Sequence, residues 1–254
     1  SYTAALTAVP MWAPYDGDGN WGQAPNWTRG DNPVGWTEAY DLQKHGIDIL
    51  LNGYAEVDLG LKGLKYKLNV GVNKYTRRNY NYAVPYVFSS TSQNPNYSLS
   101  ESTSWENDWL IENTVNYDNT FGKHMVSALA GYSAQRNESR GFGAGRLNMP
   151  EGLMTIGAGQ TDGQTTSGSA WANSMVSIFG RVMYTFDDRY MLTASIRRDG
   201  SSKFADGHRW GTFPSASIGW NVMNEKFFEN AKKVMNELKI RASYGVLGNL
   251  NGIG

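Results

Sequence analysis

The chain has 254 residues, enough for one large β unit, and its charges cancel, with 23 Lys and Arg against 23 Asp and Glu. That balance offers no basic field for nucleic acid or anionic lipid. Cysteine is absent, which excludes disulfides and thiolate metal or redox sites, and no stretch approaches the roughly 18 apolar residues of a spanning helix.

Aromatics make up 13% of the residues, beside 29 glycines, a mixture that argues for β structure over disorder. The chain starts at Ser1 without an initiator Met or signal peptide and ends at Gly254 without a closing element, so it reads as an excerpt. A long polar connection is expected from Pro10 to Ile47. Within it, Asp16, Asp18 and Asn20 place oxygen ligands at alternate positions, the spacing that lets a loop wrap Ca²⁺. Trp21 stands where the EF-hand glycine belongs and Trp27 where its bidentate Glu belongs, so a polar Gly-rich turn is the better reading and structural Ca²⁺ the weaker one.

Period-2 alternation then recurs along the chain, the mark of strands with one apolar and one polar face. A loose copy covers Ile49 to Leu59, and a clear one follows in which Leu64, Tyr66, Leu68, Val70 and Val72 oppose Lys65, Lys67, Asn69, Gly71 and Asn73. Further copies run over Leu110 to Tyr117, Met125 to Ser133, Val176 to Phe186 and Tyr190 to Arg197. The best two come last: Ala216, Ile218, Trp220 and Val222 against Ser215, Ser217, Gly219 and Asn221, and Leu238, Ile240, Ala242, Tyr244 and Val246 against Lys239, Arg241, Ser243 and Gly245. This predicts about eight strands of about ten residues each, a length that suits crossing a bilayer better than a soluble sandwich.

Connections alternate short and long. Those after Leu59, after Asp118 and at Asp187-Asp188-Arg189 are tight, whereas Arg77 to Trp109, Gln135 to Ser174 and Arg198 to Phe213 join the opening one as long segments. Transmembrane barrels have short periplasmic turns and long extracellular loops, so the fold class expected is an all-β, antiparallel transmembrane β-barrel segment. Met223 to Glu237 breaks the alternation and reads as a small periplasmic helix. Tyr117, Phe121, Tyr184, Phe186, Tyr190 and Trp220 would form a periplasmic girdle, and Tyr75, Tyr132 and Tyr244 an outer one.

Candidate binding residues follow from these placements. The loop tryptophans Trp12, Trp21, Trp27, Trp36, Trp105 and Trp171 are suited to stack on sugar faces, although loop packing explains any one of them more simply. Lys65, Lys67, Arg181, Arg197, Lys239 and Arg241 fall on inward positions, where they keep a lumen polar and could meet substrate or plug. Catalysis is not expected: His45, His124 and His208 are scattered, no Gly-x-Ser-x-Gly elbow or His-Glu-x-x-His helix occurs, and Gly143-Ala144-Gly145 lacks the rest of a dinucleotide motif.

Ser195-Ile196-Arg197-Arg198-Asp199-Gly200-Ser201-Ser202-Lys203-Phe204, then Arg209-Trp210-Gly211-Thr212-Phe213-Pro214-Ser215-Ala216-Ser217-Ile218-Gly219-Trp220, strongly resembles the SusC/RagA family of TonB-linked outer-membrane proteins. The segment Leu238 to Asn249 does so too, with looser matches at Gly180 to Tyr184, Glu112 to Tyr117 and Phe121 to His124. The resemblance implies residues 1–254 as part of one barrel domain of about 22 strands, lacking its plug, N-terminal extension and final strands. It further implies an importer of oligosaccharides or peptides in the outer membrane of Bacteroides-group bacteria, energised by TonB and lidded by a SusD-like lipoprotein. Two rivals stay open: an independent small barrel acting as an adhesin, whose first and last strands would pair, and an outer-membrane hydrolase using Ser201 and His208.

Overall fold

The computed structural model describes residues 13–23, 32–233 and 235–248. Its main feature is an eight-stranded sheet in which each strand neighbours the next in the chain. The strands are β1 (Tyr40–Asp58), β2 (Leu64–Ala83), β5 (Ser98–Phe121), β6 (His124–Leu147), β7 (Thr165–Phe186), β8 (Tyr190–Ser201), β9 (Trp210–Asn221) and β10 (Lys239–Gly245). A two-residue hairpin, β3 (Tyr86–Val87) with β4 (Gln93–Asn94), lies between β2 and β5. β1 and β10 stand at opposite ends of the strand order. The expected strand number and the antiparallel pairing are therefore present.

Strand length is where the sequence misled. β5 and β6 run for 24 residues each and β7 for 22, roughly twice the 9 to 11 that cross a bilayer. The segments expected as long connections at Arg77–Trp109 and Gln135–Ser174 are thus in large part strand, whereas β1 takes only residues 40–47 of the one expected at Pro10–Ile47; the links between the long strands are 84–97, 148–164 and 202–209. The physical reason is that β geometry needs no apolar alternation: Glu101, Ser102, Thr103 and Ser104 are held in β5 by backbone pairing with neighbouring strands, without writing a hydropathy pattern. The short turns were placed correctly. At Asp187 and Asp188 φ is 51° and 52°, and the Arg189 amide donates to the Phe186 carbonyl at 2.9 Å, the left-handed two-residue turn that matches strand twist.

The chain divides into two compact units. The first comprises Ser1–Asp48, Tyr75–Glu106 and Ser139–Trp171. Its core holds the buried side chains of Ala39, Tyr82, Ala83, Phe88, Leu99 and Met149. A helix absent from the expectation, α1 (Pro33–Ala39), starts at Asn32, whose side-chain oxygen accepts from the Val34 and Gly35 amides at 3.1 Å each. The Asn32 amide group also donates to the Pro14 and Gly22 carbonyls, so one buried side chain caps the helix and anchors 13–23. Gly35 is required here because a Cβ would sit 2.4 Å from the Phe88 ring.

The second unit comprises Ile49–Lys74, Asn107–Glu138 and Ala172–Gly254. Its register sorts most residues by polarity. Tyr184 pairs with Leu192, Leu192 with Ile218, and Ile218 with Ala242, while Arg181 pairs with Ser195, Ser195 with Ser215, and Ser217 with Ser243. Directly paired residues share a face, so β7 to β10 carry one apolar and one polar face. The expected helix at Met223–Glu237 is instead two 3₁₀ segments, Val222–Asn224 and Lys226–Lys233. The cause lies in the tether, because the Val222 amide is committed to the Leu238 carbonyl at 3.0 Å and the Glu225 amide to the Val222 carbonyl at 3.0 Å, a tighter winding than an α-helix.

Candidate functional site

On the polar face of the second unit an aromatic and cationic row crosses successive strands. Phe179 of β7 lies over Gly131 of β6, where a Cβ would come within 2.4 Å of the ring. The Arg197 guanidinium on β8 stands 5.5 Å from the Phe179 ring centre. Arg197 pairs in register with Phe213 of β9, whose ring in turn covers Gly211 and Gly248. Each ring thus fills the space that a neighbouring glycine vacates, which restores side-chain burial to a residue that otherwise weakens a strand.

Arg197 is held from several sides. Its Nε donates to the Asp199 carboxylate at 2.7 and 3.0 Å, and its Nη2 donates to Ser177 Oγ at 2.9 Å. Ser177 is 1% exposed, so the fork is anchored on a buried hydroxyl. On the same face the sequence-predicted cations Arg181, Lys239 and Arg241 stand opposite Ser195, Asn221 and Gly219. Lys65 forms an ion pair with Glu56 at 2.9 Å, and Lys67 stacks over Tyr54 at 4.7 Å. The structure therefore gives Arg197, Lys65 and Lys67 specific partners, and it brings Arg197 together with Phe179, Ser177, Asp199 and Phe213, which sequence reasoning did not single out as binding residues. The available signal was an aromatic out of phase: Phe179 and Phe213 both fall on polar positions of their strands.

The tryptophans do not act as a group. Trp12 and Trp27 lie outside the described residues. Trp21 donates through Nε1 to Glu38 at 2.8 Å and meets Phe88 edge-on at 5.5 Å. Trp36 lies in α1, not in a loop, and stacks on Tyr40 at 4.3 Å. Those two belong to a packed aromatic cluster with Tyr86, whose hydroxyl meets that of Tyr40 at 2.6 Å. Trp105 and Trp171 were expected in loops and are in β5 and β7. Only Trp171 of the described four is strongly exposed, at 51%.

The Asp16 loop is satisfied by itself. The Asp16 carboxylate accepts from the Asp18 and Asn20 amides at 3.0 and 2.8 Å and from Asn20 Nδ2 at 3.2 Å. These donors, led by the Asn20 side chain, hold its carboxyl below the usual carboxylate range. Among the described residues no group of three or more His, Cys, Asp or Glu side chains is arranged to hold a metal ion. Ser201 Oγ accepts from the Lys203 amide at 3.3 Å, and Ser202 Oγ accepts from the Ser174 amide at 2.8 Å.

A second polar centre sits at the short-turn end. Glu225, 9% exposed, accepts from the Tyr190 hydroxyl at 2.7 Å, from Trp220 Nε1 at 3.2 Å and from Arg189 Nη1 at 3.5 Å. Arg189 also reaches Asp187 at 3.2 Å, and Asp187 reaches Lys123 at 2.9 Å. The girdle aromatics Tyr190 and Trp220 are thereby oriented by one carboxylate, with Phe186 beside Tyr190 at 6.5 Å.

Known proteins share this fold. A family model described as TonB dependent receptor-like, beta-barrel, matches residues 2–248. The TonB-dependent receptor P39 of Formosa agariphila is 32% identical over 222 residues, which is 86% of this chain and 21% of that protein. The TonB-dependent receptor SusC of Bacteroides thetaiotaomicron is 33% identical over 139 residues, or 54% of this chain and 13% of its own length. The RagAB peptide importer in its closed-closed state superposes with a TM-score of 0.80 at 24% identity, over 95% of this chain and 27% of that one. The chain thus spans about a fifth or less of these curated relatives.

Proposed function

Because the chain belongs to the TonB-dependent receptor β-barrel family, we propose that it is part of the wall of an outer-membrane importer. The observation that carries this reading is the division of β7 to β10 into an apolar face, with Tyr184, Leu192, Ile218 and Ala242, and a polar face, with Arg181, Ser195, Ser217 and Ser243. The apolar face meets lipid, and the polar face lines the lumen with Lys65, Lys67, Arg181, Arg197, Lys239 and Arg241. The short turns at 59–63, 122–123 and 187–189 are periplasmic and the 84–97, 148–164 and 202–209 connections extracellular.

Substrate is an oligosaccharide or a peptide, import is driven through TonB, and a SusD-like lipoprotein covers the outer mouth. The name of the TonB-dependent receptor SusC supports the dependence on TonB and that of the RagAB peptide importer supports the peptide class, while the oligosaccharide class and the lipoprotein rest on the resemblance to the SusC/RagA family. Chemistry on the substrate is no part of this role, in keeping with relatives that are named as receptors. The independent small barrel fares less well, since β1 and β10 are not neighbours in the sheet. The test is uptake of labelled oligosaccharides and peptides by cells carrying the complete receptor, with and without TonB. TonB-dependent uptake of either class supports the proposal; uptake of neither contradicts it.

A further inference from the structure

Beside the row on the polar face, the 202–209 connection leaves a cavity of about 550 Å³, lined by Arg197, Asp199, Phe204, His208, Arg209 and Phe213 among others. Its volume lies within the range that small ligands occupy. Both arginines in the wall have an acidic partner: Arg197 has Asp199 at 2.7 Å, and Arg209 has Asp206 at 2.8 Å in a solvent-exposed pair. An entering carboxylate or sulfate would have to compete with a carboxylate in place, so charge gives an anion no advantage here.

Hydroxyls fit the same groups better. A guanidinium carries five N–H donors, and Arg197 spends only its Nε and one Nη2 proton on Asp199 and Ser177. Asp199 has lone pairs beyond the two contacts it accepts. Donor and acceptor therefore stand side by side, fixed by the buried Ser177, and each hydroxyl of a vicinal diol can both accept and donate. Phe204 and Phe213 add apolar surface for the C–H face of a ring.

We propose that the cavity under the 202–209 connection binds one uncharged sugar unit through a vicinal diol, with the Arg197–Asp199 pair as its polar clamp and Phe204 and Phe213 as its apolar walls. The proposal rests on the importer reading and narrows its substrate to neutral glycans. It moves recognition away from the tryptophans and onto the segment Arg197 to Phe213.

Calorimetric titration of the complete receptor tests it, using neutral gluco-, manno- and xylo-hexasaccharides, an oligogalacturonate of equal length, and a hexapeptide as probes. Wild type binds at least one neutral hexasaccharide more tightly than the oligogalacturonate or the peptide. Asp199→Asn weakens that binding at least tenfold and, by freeing Arg197, tightens oligogalacturonate binding at least threefold. Phe204→Ala, in the connection and outside the sheet, weakens the neutral sugar about tenfold while the heat-modifiable folded band persists. Wild-type preference for uronate or peptide, no binding of any neutral probe, or neutral binding indifferent to both variants each overturns the proposal. Energy-dependent uptake of peptide with both variants silent sinks the cavity and spares the importer. Uptake of no probe at all sinks the importer as well.

Discussion

Glycine costs a strand stability unless a neighbour covers it, and the polar face shows that cover directly. At Gly131 an added methyl would sit 2.4 Å from the Phe179 ring, so Gly131→Ala must push the ring off both Gly131 and Arg197. The expected cost is about 1 to 3 kcal/mol, read as a lower unfolding temperature of the folded barrel. Arg197→Lys keeps the charge and loses the fork that reaches Asp199 and Ser177 together. In the first unit, Phe88 is fully buried against α1, and Phe88→Ala removes about 3 to 5 kcal/mol. That loss should appear as selective proteolysis within the first unit while the second stays protected.

At the scale of elements, the turn centre around Glu225 predicts acid sensitivity. The Tyr190 hydroxyl, then Trp220 Nε1, hold the Glu225 carboxyl below its usual value, and Lys123 does the same for Asp187. Groups with depressed folded values add stability that is fully present above the unfolded value of about 4.3 and is lost as pH falls through the folded one. Thermal unfolding should therefore drop below about pH 4, and the drop should be smaller in Glu225→Gln. The acid loss being identical in both proteins would contradict the role given to Glu225. This centre was only half legible in the sequence. The girdle positions of Tyr190 and Trp220 could be read from alternation, but Glu225 looked like one residue of an amphipathic helix. Only the 3₁₀ winding, fixed by Val222 and Leu238, turns its carboxylate toward the aromatics.

For the whole molecule, the readable part was what lipid would impose. Alternation at Leu64 to Val72, Ala216 to Val222 and Leu238 to Val246 located strands because an apolar face must be written in the residues that meet hydrocarbon. Strand extensions such as Glu101 to Ser104, the helix α1 and the Trp36, Tyr40, Tyr86 and Phe88 cluster carry no such imprint, since pairing and local caps built them. The aromatic and cationic row was hidden for a related reason: Phe179 and Phe213 break the polar pattern in which they sit, and only register shows that glycines and Arg197 receive them. An eight-stranded sheet with two separate terminal strands would leave rows of backbone groups unpaired in lipid. Expressed alone in detergent, the chain should give no heat-modifiable folded band.

The most direct measurement uses the absence of native cysteine in this chain, with any cysteine elsewhere in the complete receptor replaced by serine. Single cysteines placed at Leu192, Thr193, Ala194, Ser195, Ile196 and Arg197 of β8, in the complete receptor in outer-membrane vesicles, are exposed to a membrane-impermeant maleimide. The account predicts labelling at positions 193, 195 and 197, which share the polar face, and protection at 192, 194 and 196, which share the apolar face. Uniform labelling along β8, or protection on the polar face and labelling on the apolar one, would contradict a barrel wall with lipid on one side and a lumen on the other.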